Sequence, residues 1–144
     1  MADIYIQPLV PDTNGRFFGF GRDSKNQLKA SYGLHFLAQR ILLNLLTAKG
    51  TDPLDPNRGT DLAAIVGSNY SDEDELAQVT ALAVLQTETY IKAVQADEEF
   101  LTADERLGHL AVTGIDTLGD FLQLSFTVQS EASTSAKLSL VVPT

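Results

Sequence analysis

The segment FLQLSFTVQ, residues 121–129, alternates without a break: Leu122, Leu124, Phe126 and Val128 fall on one side, and Gln123, Ser125, Thr127 and Gln129 on the other. Period-two alternation of this length fits a strand with one buried and one wet face, and does not fit a helix, whose apolar residues recur every three or four positions. Such a strand needs neighbours. AKLSLVVPT at 136–144 repeats the pattern with Leu138, Leu140 and Val142 after the small polar loop QSEASTSA. RLGHLAVTGI at 106–115 alternates through Leu110 and Val112 ahead of a turn at DTLGD. Successive strands joined by short turns predict an antiparallel meander whose apolar face must be covered by another layer.

Helices supply that layer. Leu34, Leu37, Ile41 and Leu45 recur at i, i+3, i+7 and i+11, with Ala38, Leu42 and Leu46 widening the stripe, which predicts a helix over 33–48. Gly50 stands where a left-handed cap would end it, and Lys49 would complement the negative end of its dipole. A second helix is predicted from an N-cap at Ser71 to about Gln95, with the carboxylates of DEDE in its first turn. Leu76, Val79, Ala83, Tyr90 and Val94 hold one face of it, and Leu82, Leu85 and Ile91 form a second flank, so cover on more than one side is expected. At the start, Ile4 and Ile6 alternate with Asp3, Tyr5 and Gln7 before Pro8, Pro11 and the glycines of NGRFFGFGRD, which reads as a short strand and an irregular arm. The fold class predicted is α+β: two main helices packed on a C-terminal antiparallel meander of about three strands, with the N-terminal strand and arm over 1–31 and the body over 32–144 of a single domain.

The connector TAKGTDPLDPNRGTDL, residues 47–62, is sixteen residues long, where about 4 to 6 is usual. Pro53 and Pro56 hold themselves and their predecessors extended, Gly59 permits a turn, and Thr60 can cap a short helix at DLAAIV. It reads as ordered, either as a rigid surface loop or as a shaped protein contact with Asp52, Pro53, Asp55, Pro56 and Gly59 as its candidate residues.

Composition narrows the chemistry. At 144 residues the chain has the size of one ordinary domain, and 19 acidic against 10 basic residues give a net charge of −9, which repels a polyphosphate backbone and makes nucleic acid an unfavourable partner. No cysteine is present, so there are no disulfides and no thiolate chemistry, a composition that suits a reducing compartment. MADIYIQPLV does not read as a secretory signal, and the longest apolar tract, LHFLAQRILLNLL, is 13 residues interrupted by His35, Gln39, Arg40 and Asn44. That falls short of the ~20 residues a membrane span needs. His35 and His109 are far apart and pair with no further ligand at metal spacing, GFGRDSK lacks the spacing of a phosphate loop, and no GxSxG elbow occurs. Glu73, Glu75, Glu88, Glu98, Glu99 and Glu105 could furnish a carboxylate pair, but abundance alone assigns none, and DEDE is most simply a helix start. The expectation is no catalytic residue, no metal and no cofactor.

A helix containing QRILLNLLT, then KGTDPLDPNRGTDL, a long helix and a C-terminal meander resembles, over roughly residues 30–142, the baseplate wedge and sheath-initiator family of contractile-tailed phages. The best match is Leu46 to Leu62, with a T-x-x-G turn followed by proline and glycine before the next helix. The family's Glu-Pro-Arg motif near the start of the meander, implicated in gripping the wedge's helical core, corresponds here to ADERL: Asp104 replaces the glutamate, Glu105 the proline, and Arg106 matches. Loss of the proline removes a fixed φ, and without the resemblance ADERL reads as a solvated turn entering a strand. The resemblance implies a structural protein of the virion, made and assembled in the host cytoplasm, that initiates sheath polymerisation. Its partners would be other wedge proteins and the tail sheath protein, with tail tube or hub proteins as further candidates, at about six copies per particle. The analogous family sheet receives extended arms, which points to the edge of the last strand, Leu138, Ser139, Leu140, Val141 and Val142. An older family label, tail lysozyme, supplies the alternative, a small peptidoglycan-cleaving enzyme.

Overall fold

The computed structural model describes residues 3–4, 6–8, 18–20, 30–62 and 73–143. The body is α+β, with two helices, α1 (Gly33–Leu46) and α2 (Glu73–Ala96), packed on a three-stranded antiparallel meander. Near the start, the short strands β1 (Asp3–Ile4) and β2 (Ile6–Pro8) pair with β4 (Ala30–Ser31) and β3 (Phe18–Phe20) respectively, as two separate antiparallel ladders. The meander strands are β5 (Leu107–Leu118), β6 (Phe121–Ser130) and β7 (Ser135–Pro143), in the order β5-β6-β7.

In β6, Leu122, Leu124, Phe126, Val128 and Ser130 are buried, while the intervening residues are half-buried or exposed. The pleat forces this alternation, and the buried row meets Leu37, Ile41 and Leu45 of α1 and Ala83, Val84 and Ile91 of α2 in one core cluster. Full burial of each large aliphatic side chain contributes roughly 1.5–3 kcal/mol. In β5, bulges fall between Leu107 and His109 and between Val112 and Gly114. The second resets the parity, so that Ile115 joins Leu110 and Val112 on the core side. At the first, a Cβ on Gly108 would lie 2.8 Å from the Ser130 carbonyl oxygen, so the close approach of the two backbones there requires glycine.

Two expectations need correction. Helix α1 stops at Leu46, short of 48, because the backbone of Thr47 and Lys49 bonds to Thr60 in a short parallel bridge. Gly50 does have a positive φ of 80°, but it shapes the turn closed by Thr51 N–H on Ala48 O, outside the helix. In α2 the core face is Leu76, Thr80, Ala83, Val84, Thr87, Ile91 and Gln95, so Ile91 belongs to the core, while Leu82 and Leu85 are exposed. The expected cap at Ser71 and most of the short helix after Thr60 lie outside the described residues.

The β6–β7 hairpin closes through Ser130 N–H on Thr134 O and Ser133 N–H on Ser130 O, and Ser133 has a φ of 63°. This is a three-residue loop with a left-handed third position, which favours glycine. Ser133→Gly is expected to stabilise the chain by about 0.5–1 kcal/mol, because the relieved Cβ contact outweighs the added unfolded-state freedom. A lower thermal midpoint for the glycine variant would contradict this.

Candidate protein-contact site: an open sheet edge and two braced loops

The meander has two outer edges, and α2 treats them differently. Along β5, Gln95 Oε1 accepts the Leu107 N–H at 2.8 Å and Glu88 Oε2 accepts the Leu110 N–H at 3.4 Å, so side chains of α2 occupy donors that a further strand would need. Glu88 also bonds Lys92 at 2.8 Å and lies 3.5 Å from His109 Nδ1. Partial burial works against its charge, but Lys92, the Leu110 N–H and His109 together hold its carboxyl below the usual carboxylate range.

Along β7 the register settles which groups face out. Ser130 N–H bonds Thr134 O, so hydrogen-bonded pairs recur at every second position: Val128–Ala136, Phe126–Leu138, Leu124–Leu140 and Leu122–Val142. The N–H and C=O groups of Ser135, Lys137, Ser139 and Val141 therefore point away from β6, and among the described residues no strand pairs with them. Leu140 is buried and Leu138 half-buried against the core, whereas Lys137 and Ser139 are exposed. The predicted edge residues thus divide: Leu138, Leu140 and Val142 bond inward to β6, and Ser139 and Val141 offer the open backbone.

The ADERL corner turns inward. Glu105 is 3% exposed; its Oε1 accepts the Gly33 N–H that opens α1 at 3.1 Å, and its Oε2 accepts the Thr102 N–H at 3.3 Å. Tyr32, the residue preceding α1, makes no side-chain cap, so a carboxylate remote in sequence serves the positive end of that helix. Arg106 donates to the Gln95 and Glu98 carbonyls at the end of α2, and Gln95 Nε2 donates to Glu105 O at 2.8 Å. Asp104 accepts a hydrogen bond from Thr134 Oγ1 at 3.0 Å. The resemblance implied a grip on a partner helix; in this chain the polar atoms of Glu105 and Arg106 instead hold its own α1 and α2, because both helix ends converge on this turn.

The connector is braced at both ends. Thr60 N–H bonds Thr47 O at 2.9 Å and Thr60 Oγ1 donates to Leu45 O at 2.9 Å, while also accepting the Leu62 N–H as a helix cap would. Asp52 and Asp55 each accept a backbone N–H two residues on, from Leu54 and Asn57, in the local turns that follow Asp before Pro. Asp52 also pairs with Arg58 at 3.4 Å. Asp55 takes the hydroxyl of Tyr90 on α2; burial and this carboxylate push the Tyr90 phenol up to about 12. Pro53 and Pro56 are exposed, and Leu54 between them is 94% exposed. Gly59 has a φ of 101°, and a Cβ there would sit 2.6 Å from Thr47 O. Gly59→Ala is therefore expected to cost about 2–3 kcal/mol, combining backbone strain with a broken Ala48–Thr60 bridge, read as a fall in the urea midpoint. An unchanged midpoint would show that the bridge contributes nothing.

Sequence reasoning passed over Asn44, which joins α1 to the connector and to α2. Its Oδ1 accepts the Gly59 N–H and its Nδ2 donates to Thr87 Oγ1, both at 3.0 Å and buried. The available signal was an asparagine on the core stripe of ILLNLL, since a buried amide must find partners. Arg40 was passed over as well; it forms a two-pronged ion pair with Glu98 at 2.8 and 3.0 Å, tying α1 to the end of α2. Of the other carboxylates considered, Glu73, Glu75 and Glu99 are exposed. Among the described residues no cluster of His, Cys, Asp and Glu could hold a metal ion, and no helix is long and apolar enough to cross a membrane. Comparison with known proteins returns no matching family, no similar curated protein and no similar solved structure.

Proposed function

We propose that this protein is a structural, non-enzymatic subunit of a contractile-tail baseplate wedge, and that it seeds sheath polymerisation by accepting an extended arm of a sheath subunit along β7. The observation that carries the reading is the asymmetry of the sheet: side chains of α2 occupy donors on the β5 edge, while the outward groups of Ser135, Lys137, Ser139 and Val141 on β7 face no strand among the described residues. An added strand would satisfy these groups, each hydrogen bond contributing a net ~0.5–1.5 kcal/mol. The order of helix, braced connector, long helix and meander supports the wedge and sheath assignment through the resemblance of QRILLNLLT and KGTDPLDPNRGTDL.

On this reading the protein resides in the virion, with other wedge proteins and the sheath as partners. The ADERL turn would meet the wedge core as a shape held by Glu105 and Arg106, with the half-buried Asp104 at its surface. Electron microscopy of tails assembled without this protein tests the proposal. The expected result is baseplates or tubes bare of sheath; sheaths of normal length on complete baseplates would overturn it.

A further inference from the structure

Between the connector and the outer side of α2 runs an open groove of about 580 Å³. Lys49, Asp55, Asn57 and Gly59 form its connector wall, and Leu85, Thr89, Ala93 and Val94 its floor. Leu85 is 61% exposed and Leu82, one position back along the same stripe, is 47% exposed. Leu82, Leu85, Thr89 and Ala93 recur at i, i+3, i+7 and i+11, so α2 carries a second apolar stripe opposite its core face. Thr89 and Ala93 are small, which lets another backbone come close beside the larger Leu85.

We infer that this groove docks a cationic amphipathic helix of another protein. Two observations favour that occupant. The α2 residues that line the groove run from Leu85 to Asp97, about 18 Å at the rise of a helix, which matches roughly three turns of a partner helix lying along α2. The charge at the groove is acidic: Asp55 and Asp97 line it against the single cation Lys49, and Asp61 lies beside Gln86. A second copy of this chain is the weaker occupant, because it would bring another net charge of −9, and Glu73 and Glu75 of its own α2, against the same face. The inference does not depend on the β7 edge, which lies on a different element.

The test titrates the full chain with two designed helical peptides of about three turns, one with a leucine stripe flanked by lysines and one with the same stripe flanked by glutamates. Methyl NMR reports the site and calorimetry the affinity. Only the lysine peptide is expected to bind, shifting the methyl signals of Leu85, Ala93 and Val94, and binding should weaken with added salt. Leu85→Ser and Asp97→Lys should each weaken it about tenfold. Both residues are exposed, so unchanged thermal midpoints will show that the variants fold. Equal binding of the glutamate peptide, shifts scattered away from the groove, self-association of the chain through Leu85, or no binding at all would overturn the inference.

Discussion

Glu105→Ala is expected to lower the stability of the chain by about 3 kcal/mol, a large effect for a turn residue. The carboxylate accepts the first backbone N–H of α1, from Gly33, and the N–H of Thr102, and it is almost wholly buried. Removing it loses two charge-assisted hydrogen bonds, at ~1.5–3 kcal/mol for bonds to a charged group, and leaves two donors without an acceptor where water has little access. It also removes a negative charge from the positive end of α1. Glu105→Gln keeps one carbonyl oxygen as an acceptor and should cost about half as much. Urea unfolding reads both as a fall in midpoint at constant slope, and amide exchange should quicken first at the start of α1. A midpoint that stays in place for the alanine variant would mean that the Gly33 contact contributes nothing to folding.

A pair of prolines in β7 should separate folding from partner recruitment. In Leu140 the N–H lies in a bonded pair with Leu124 and the side chain is 3% exposed. Leu140→Pro therefore loses a ladder bond and a buried aliphatic group, and is expected to cost at least about 3 kcal/mol or to prevent folding. One residue earlier, Ser139 is exposed and its N–H faces away from β6. Proline is tolerated at such an edge position, and the only described side-chain bond lost is the exposed one from Gln123 Nε2 at 2.9 Å, so Ser139→Pro should cost less than about 1 kcal/mol. It removes an outward donor and places a ring in the path of an incoming strand, so sheath recruitment should fail although the domain remains folded. If Ser139→Pro recruits sheath as the unaltered chain does, the arm does not add to β7, and attachment must be sought at the connector.

Local patterning alone determined the elements themselves. Unbroken alternation at 121–129 specified a half-buried strand, and the i, i+3, i+7 stripe from Leu34 specified a helix with Leu37, Ile41 and Leu45 inward; both are fully realised in the core. This works because side-chain direction follows from backbone period without reference to the rest of the chain. The punctuation of the connector was equally legible, since Pro53, Pro56 and Gly59 act on their own dihedrals. Tertiary structure alone decided where each element stops and which polar group serves which helix end. Helix α1 ends at Leu46 because Thr60, distant in sequence, bonds Thr47 and Lys49; its first N–H is met by Glu105, 72 positions away; and Arg106 turns to α2 rather than outward. The cover on the β5 edge is of the same kind. The sequence pointed to the last strand as an edge, but it held no sign that Gln95 and Glu88 on the passing helix would take the Leu107 and Leu110 N–H groups of β5. Hydrogen-bond partners separated by tens of residues are selected by how the layers pack, and a pattern read within a window of residues carries no record of that packing.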